Sequence, residues 1–112
     1  MKLIYLSVEQ NKNYKFVAIM NKKKLKIARN KIDRLDKSIF NLIKRRTKIV
    51  KYILSLKHFK KQIVDQKRIN TILKDIRKKS IQDSLDPKIT NRIWRAMIEG
   101  YIDFEKRNFK KK

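Results

Sequence analysis

Residues 25–56, LKIARNKIDRLDKSIFNLIKRRTKIVKYILSL, decide the fold. Leu25, Ala28, Ile32, Leu35, Ile39, Leu42, Arg46, Ile49, Ile53 and Leu56 follow one another in alternating steps of three and four. That is the heptad rhythm of a helix with one apolar seam. Nine of these ten positions are apolar, and neither Pro nor Gly interrupts the run. A helix from about Asn21 to Phe59 would measure roughly 58 Å at 1.5 Å per residue. A compact domain of this size is narrower than that, so one chain cannot cover the whole stripe. The spacing therefore predicts a dimer.

Working outward, residues 1–20 read differently. Lys2–Val8 and Tyr14–Ile19 are β-prone runs around a polar centre, which suggests a hairpin, a loose arm or a dispensable extension, with Met20 as an alternative start. The segment has no apolar centre of signal-peptide length, so no export is expected. Beyond the long helix, a break is expected around 60–64, with Asp65 capping a short second helix that ends near Ser80. Ile69, Ile72, Leu73 and Ile76 would form its apolar face. Asp86-Pro87 starts a third helix, a capping carboxylate followed by Pro at the first helical position. It should reach Asn108, with Ile89, Ile93, Met97, Gly100 and Phe104 on one side and Trp94, Ile98, Tyr101 and Glu105 beside them. The expected layout is an extension at 1–20, an all-α domain at 21–109 and a basic tail at 110–112.

Composition supports a small helical protein and excludes several chemistries. The 112 residues carry 33 Lys plus Arg against 10 Asp plus Glu, a formal +23, and 41% are hydrophobic. One Gly and one Pro leave little turn chemistry for a multi-hairpin sheet. The absence of Cys removes disulfides and thiol nucleophiles and fits a reducing, cytoplasmic setting. No apolar run approaches the ~20 residues that span a bilayer, so no membrane partner is expected. The charge invites a nucleic-acid reading. Yet 24 of the cations are Lys and only nine are the Arg that grips phosphate bidentately. No zinc finger, glycine-rich phosphate loop or stacking motif accompanies them, so no specific nucleic-acid partner is expected.

Arg46 is the one charge inside the apolar seam. A buried guanidinium is costly unless paired, and Leu42, Ile43, Ile49 and Val50, three and four residues away, offer no carboxylate. It either reaches the surface, meets an Asp on another helix, or faces an anionic ligand. Lys57 follows eleven residues later, three helical turns and about 20° on, so both cations share a face about 16 Å apart. Arg29, seventeen residues before Arg46, lies about 100° from that face; it could not easily join the same pocket from its own chain, though it could reach one on an adjacent subunit. His58 is the single His, and only three Glu are present. Nucleophilic triads, multi-His metal centres and paired carboxylates are therefore unsupported, and no cofactor or metal is expected. Cations without a nucleophile fit anion binding, or a reaction that needs only positioning and electrostatics.

Ala28-Arg29-Asn30-Lys31-Ile32-Asp33-Arg34-Leu35-Asp36, followed by Leu42-Ile43-Lys44-Arg45-Arg46, resembles the all-helical chorismate mutases of the AroQ class. Asp65-Gln66-Lys67-Arg68 matches their Asp-x-x-Arg element. Leu85-Asp86-Pro87 and Ile93–Glu99 match the start of their third helix, and the resemblance covers about 25–109. It implies the type II three-helix fold in an intertwined homodimer, each of two sites receiving an Arg from the partner's long helix. Arg29 from the other chain and Arg46 would then hold the two carboxylates of the substrate. Lys57 would bond its ether oxygen, Asp65 would hold the ring hydroxyl through its backbone, and Arg68 would support the pocket. Glu105 falls where the family has Gln or Glu against the ether oxygen. Ile69 and Tyr101 stand where mutases commonly carry Glu and Ser, and there they resemble the sister isochorismate pyruvate-lyases, which in turn usually keep Gln at the position of Glu105.

The resulting expectation is rearrangement of chorismate to prephenate in aromatic amino-acid biosynthesis, with Lys57, Glu105 and Arg46 catalytic. Arg29, Arg46, Lys57, Asp65, Arg68, Ile69, Tyr101 and Glu105 would bind the substrate. The rivals are isochorismate cleavage to salicylate and pyruvate, and a non-catalytic helical dimer that adheres to polyanions.

Overall fold

The computed structural model describes residues 2–110, with side chains described from Lys12 to Lys110. Helix α1 runs Lys2–Leu56, a single 3-10 turn covers Lys60–Gln62, α2 runs Gln66–Gln82 and α3 runs Pro87–Asn108. No strand occurs among the described residues, so the architecture is the expected all-α one. None of these helices is long and apolar enough to cross a membrane. Lys111 and Lys112 of the expected basic tail lie outside the described residues.

The N-terminal segment departs from expectation. Instead of starting near Asn21, the helix begins at Lys2 and takes in both β-prone runs without a break. The physical reason is cooperativity. Adding a residue to an existing helix is far easier than nucleating a new one, and Val, Tyr or Ile lowers propensity by no more than about 0.7 kcal/mol each. The described chain has no Pro or Gly before Pro87 to stop propagation. At its other end α1 stops at Leu56 rather than Phe59. Gln62 accounts for the stop, because its Oε1 accepts from the backbone N–H groups of His58 and Phe59, both at 2.8 Å.

Two compact units divide the chain between Lys44 and Arg45. The first is helical, and every described side chain in it, from Lys12 to Lys44, is exposed. Among them are the seam residues Leu25, Ile32, Leu35, Ile39 and Leu42. The second unit holds the end of α1, the 3-10 turn, α2 and α3, and its α2 and α3 pack on each other. Its buried apolar residues are Leu54, Ile63 and Ile98, one from α1, one just past the turn and one from α3. On α2 the expected face of Ile69, Ile72, Leu73 and Ile76 is half-buried. On α3 the stripe that turns inward is Trp94, Ile98, Tyr101 and Glu105, while Ile89 and Ile93 remain exposed.

Caps hold these helices where the sequence predicts. The Asp65 carboxylate accepts from Arg68 N–H at 3.0 Å at the head of α2, and Asp86 accepts from Lys88 N–H at 2.9 Å at the head of α3. Helix α2 runs two residues past Ser80 and ends in a Schellman turn. Leu85 N–H reaches Ser80 O at 2.8 Å and Ser84 N–H reaches Ile81 O at 3.3 Å. Ser84 takes the left-handed conformation there, φ 56°, where glycine is the usual occupant. A buried hydroxyl pair, Ser80 with Thr90 at 2.7 Å, ties α2 to α3 beneath this turn.

Candidate active site

A cavity of about 350 Å³ opens in the second unit between the end of α1, the 3-10 turn, α2 and α3. Its polar lining is built from each of these elements in turn. Arg46 and Lys57 come from the end of α1 and the residue just past it, Gln62 from the turn, Asp65 and Arg68 from the head of α2, and Tyr101 and Glu105 from α3. The apolar remainder includes Val50, Ile53, Ile63, Ile69 and Ile98. An apolar wall of this kind strengthens the charge–charge interactions beside it.

Three cations, Arg46, Lys57 and Arg68, face two carboxylates, Asp65 and Glu105. The Asp65 carboxylate is engaged at the helix cap. Glu105 is buried, and its Oε1 accepts from Lys57 Nζ at 3.0 Å, with side-chain exposures of 9% and 19%. A pair this sheltered holds together because each charge would be costly alone. Arg46 stands apart from this pairing. Its Nη1 is buried and has no hydrogen-bond partner among the described residues. Its guanidinium lies over the Tyr101 ring, 4.5 Å from the centroid. A ring face attracts the cation but leaves N–H donors in its plane free to bind an oxyanion. The cavity can therefore accept an anion at Arg46 and present Lys57 and Glu105 to the same bound molecule.

Seven of the eight residues singled out in the sequence line this cavity: Arg46, Lys57, Asp65, Arg68, Ile69, Tyr101 and Glu105. Arg29 does not; it is exposed on α1 within the first unit. The backbone carbonyl of Asp65 is taken by Ile69 N–H at 3.0 Å. Two features escaped sequence reasoning. Gln62 lines the cavity while bracing the turn, and its only trace is a Gln three residues after Phe59 at a helix start. The hydrogen bond of Thr47 to Tyr101, 2.6 Å across 54 residues of sequence, has no local signal at all.

Among curated proteins nothing matches this chain. No solved structure matches it either. A sequence model of one family, chorismate mutase type II, matches residues 28–106, which takes in Arg29 and every polar residue of the cavity. With most of its length so matched, the chain belongs to the chorismate mutase type II family.

Proposed function

We propose that the protein rearranges chorismate to prephenate. The observation that carries this reading is the buried, unpartnered Nη1 of Arg46 in a cavity that also presents the Lys57–Glu105 pair. In the [3,3] rearrangement the carbon–oxygen bond breaks ahead of carbon–carbon bond formation, so negative charge grows on the ether oxygen. Lys57 meets that charge as a donor, and stabilisation that grows with the charge lowers the barrier rather than merely tightening binding. Glu105 donates to the same oxygen only in its protonated form. Arg46 holds one carboxylate and keeps the side chain of the substrate folded over the ring, which contributes by orientation.

The second carboxylate needs another cation, and Arg29 supplies it from a second copy of the chain. The seam supports this arrangement. Leu25, Ile32, Leu35, Ile39, Leu42, Ile49, Ile53 and Leu56 are all exposed large apolar residues. Covering each half-exposed side chain contributes roughly 1 kcal/mol, about half of a full burial. A second copy in antiparallel register covers the stripe and carries Arg29 across.

Isochorismate pyruvate-lyase activity is the second reading, favoured by the apolar Ile69 and the Tyr101 ring on the cavity wall. Incubating the purified protein with chorismate, then with isochorismate, separates the readings. Prephenate supports the mutase, and salicylate with pyruvate supports the lyase. No product from either contradicts both and leaves a polyanion-binding helical dimer.

A further inference from the structure

We infer that Thr47 is a positioning residue that keeps Arg46 open for the substrate by clamping Tyr101 beneath it. Thr47 follows Arg46 directly on α1, and its Oγ1 lies 2.6 Å from the Tyr101 hydroxyl on α3. The same tyrosine ring sits 4.5 Å from the Arg46 guanidinium. The phenol is therefore tethered at its polar end to the neighbour of the very arginine that its face supports. All three side chains are half-buried, so the hydrogen bond and the cation–ring contact are sheltered from competing water.

The clamp matters because of what Arg46 would otherwise do. Glu105 lies on the same cavity wall, is buried, and attracts any cation that can reach it. A long guanidinium side chain freed from its ring would swing toward that carboxylate and compete with Lys57, which now holds it at 3.0 Å. Either result closes the anion site or displaces the lysine. With the ring fixed, Arg46 keeps its buried Nη1 free of any partner, the state required to receive a carboxylate. Tyr101 thus serves the substrate through Arg46, its hydroxyl being engaged by Thr47 rather than held for the ligand.

The inference rests on the chorismate reading for its kinetic arm, and a structural arm keeps the two separable. The side-chain Nε–H resonance of Arg46, which senses the ring current of Tyr101, and the steady-state kinetics with chorismate are measured on the full chain. The variants are Thr47→Val, Thr47→Ser, Tyr101→Phe and the Thr47→Val, Tyr101→Phe double. Thr47→Val keeps the shape and removes the hydroxyl. It should displace the resonance and raise KM about ten-fold with kcat within about two-fold, the size of one lost hydrogen bond acting on binding. Thr47→Ser should restore both, and Tyr101→Phe should match Thr47→Val. The double variant should be no worse than either single, because all three remove the same bond. In an Arg46→Ala background, Thr47→Val should change kcat/KM no further. An unmoved resonance in Thr47→Val, a loss that Ser fails to restore, or additive losses in the double variant would overturn the inference. A wild-type protein that leaves chorismate unchanged would sink the mutase reading instead, and the resonance arm alone would then decide the clamp.

Discussion

The two ends of α1 carry one heptad pattern and meet opposite environments. From Lys12 to Arg45 every side chain is exposed, including apolar seam residues such as Leu35 at 63% and Leu42 at 58%. From Arg46 onward the same helix turns Arg46, Thr47 and Val50 partly inward and buries Leu54. Pattern alone therefore does not say what covers a stripe. The C-terminal stretch turns Arg46, Thr47, Val50 and Leu54 toward the rest of its own unit, where a cavity forms, while its seam residues Ile49, Ile53 and Leu56 stay exposed. The N-terminal stretch keeps an equally regular stripe bare, which an isolated chain has no energetic reason to maintain. On the proposed reading a second copy is the cover, and the labour is divided: one end of the helix makes the pocket and the other donates Arg29 to a neighbour's.

The largest expected effect lies at the covered end. Arg46→Ala and Lys57→Ala should each lower kcat/KM by about 10² to 10³, with helix content by circular dichroism unchanged. Each removes a charge from the proposed anion site, and neither removes one of the buried residues Leu54, Ile63 or Ile98. The next tests the bare end. Ile39 is 52% exposed, so Ile39→Asp in a monomer would fall within about 0.5 kcal/mol of neutral. If a second copy covers the seam, sedimentation should instead show association weakened by about a hundred-fold, since a charge would be buried unpaired.

A smaller effect belongs to Glu105. Replacing it by Gln removes a negative charge from the cavity proposed to receive a dianion, and releases Lys57 from its 3.0 Å pair. KM should fall a few-fold at neutral pH, roughly the scale of one partly buried charge. The carboxylic acid donates to the ether oxygen only when protonated, whereas the amide donates at any pH. Glu105→Gln, which keeps a donor, should therefore retain turnover, whereas Glu105→Ala, which has none, should lose it. Equal turnover of the Gln and Ala variants would remove Glu105 from the reaction. The smallest effect is structural and confined to the packed unit. Ser84→Gly relieves a left-handed residue at the end of α2, and should raise unfolding free energy by about 1 kcal/mol with turnover unchanged.

What was legible in the sequence was what local physics encodes. Asp65 and Asp86-Pro87 announce their helices because a cap needs only a carboxylate and the next few N–H groups. Arg46 and Lys57 could be placed on one face by helical arithmetic, and both line the cavity. The β-prone runs at the N-terminus misled because strand propensity describes a fit to neighbouring strands, and this chain offers none. The Thr47–Tyr101 bond was invisible, since it joins residues 54 positions apart, and Lys57 and Glu105, 48 apart, were brought to one site only by the family resemblance. Only the packing of α3 beside α1 creates them.

The measurement that bears most directly on the central claim mixes two inactive proteins. Arg29→Ala and Arg46→Ala, unfolded together and refolded as mixed dimers, should regain turnover. One site of each heterodimer then combines a native Arg46 with a native Arg29 from the other copy, giving about half of the wild-type rate per dimer. The other site lacks both. Recovery of that size, with neither parent active alone, is the predicted result. Heterodimers confirmed by native mass spectrometry that remain as inactive as their parents would contradict the account, because Arg29 would then not act across the seam.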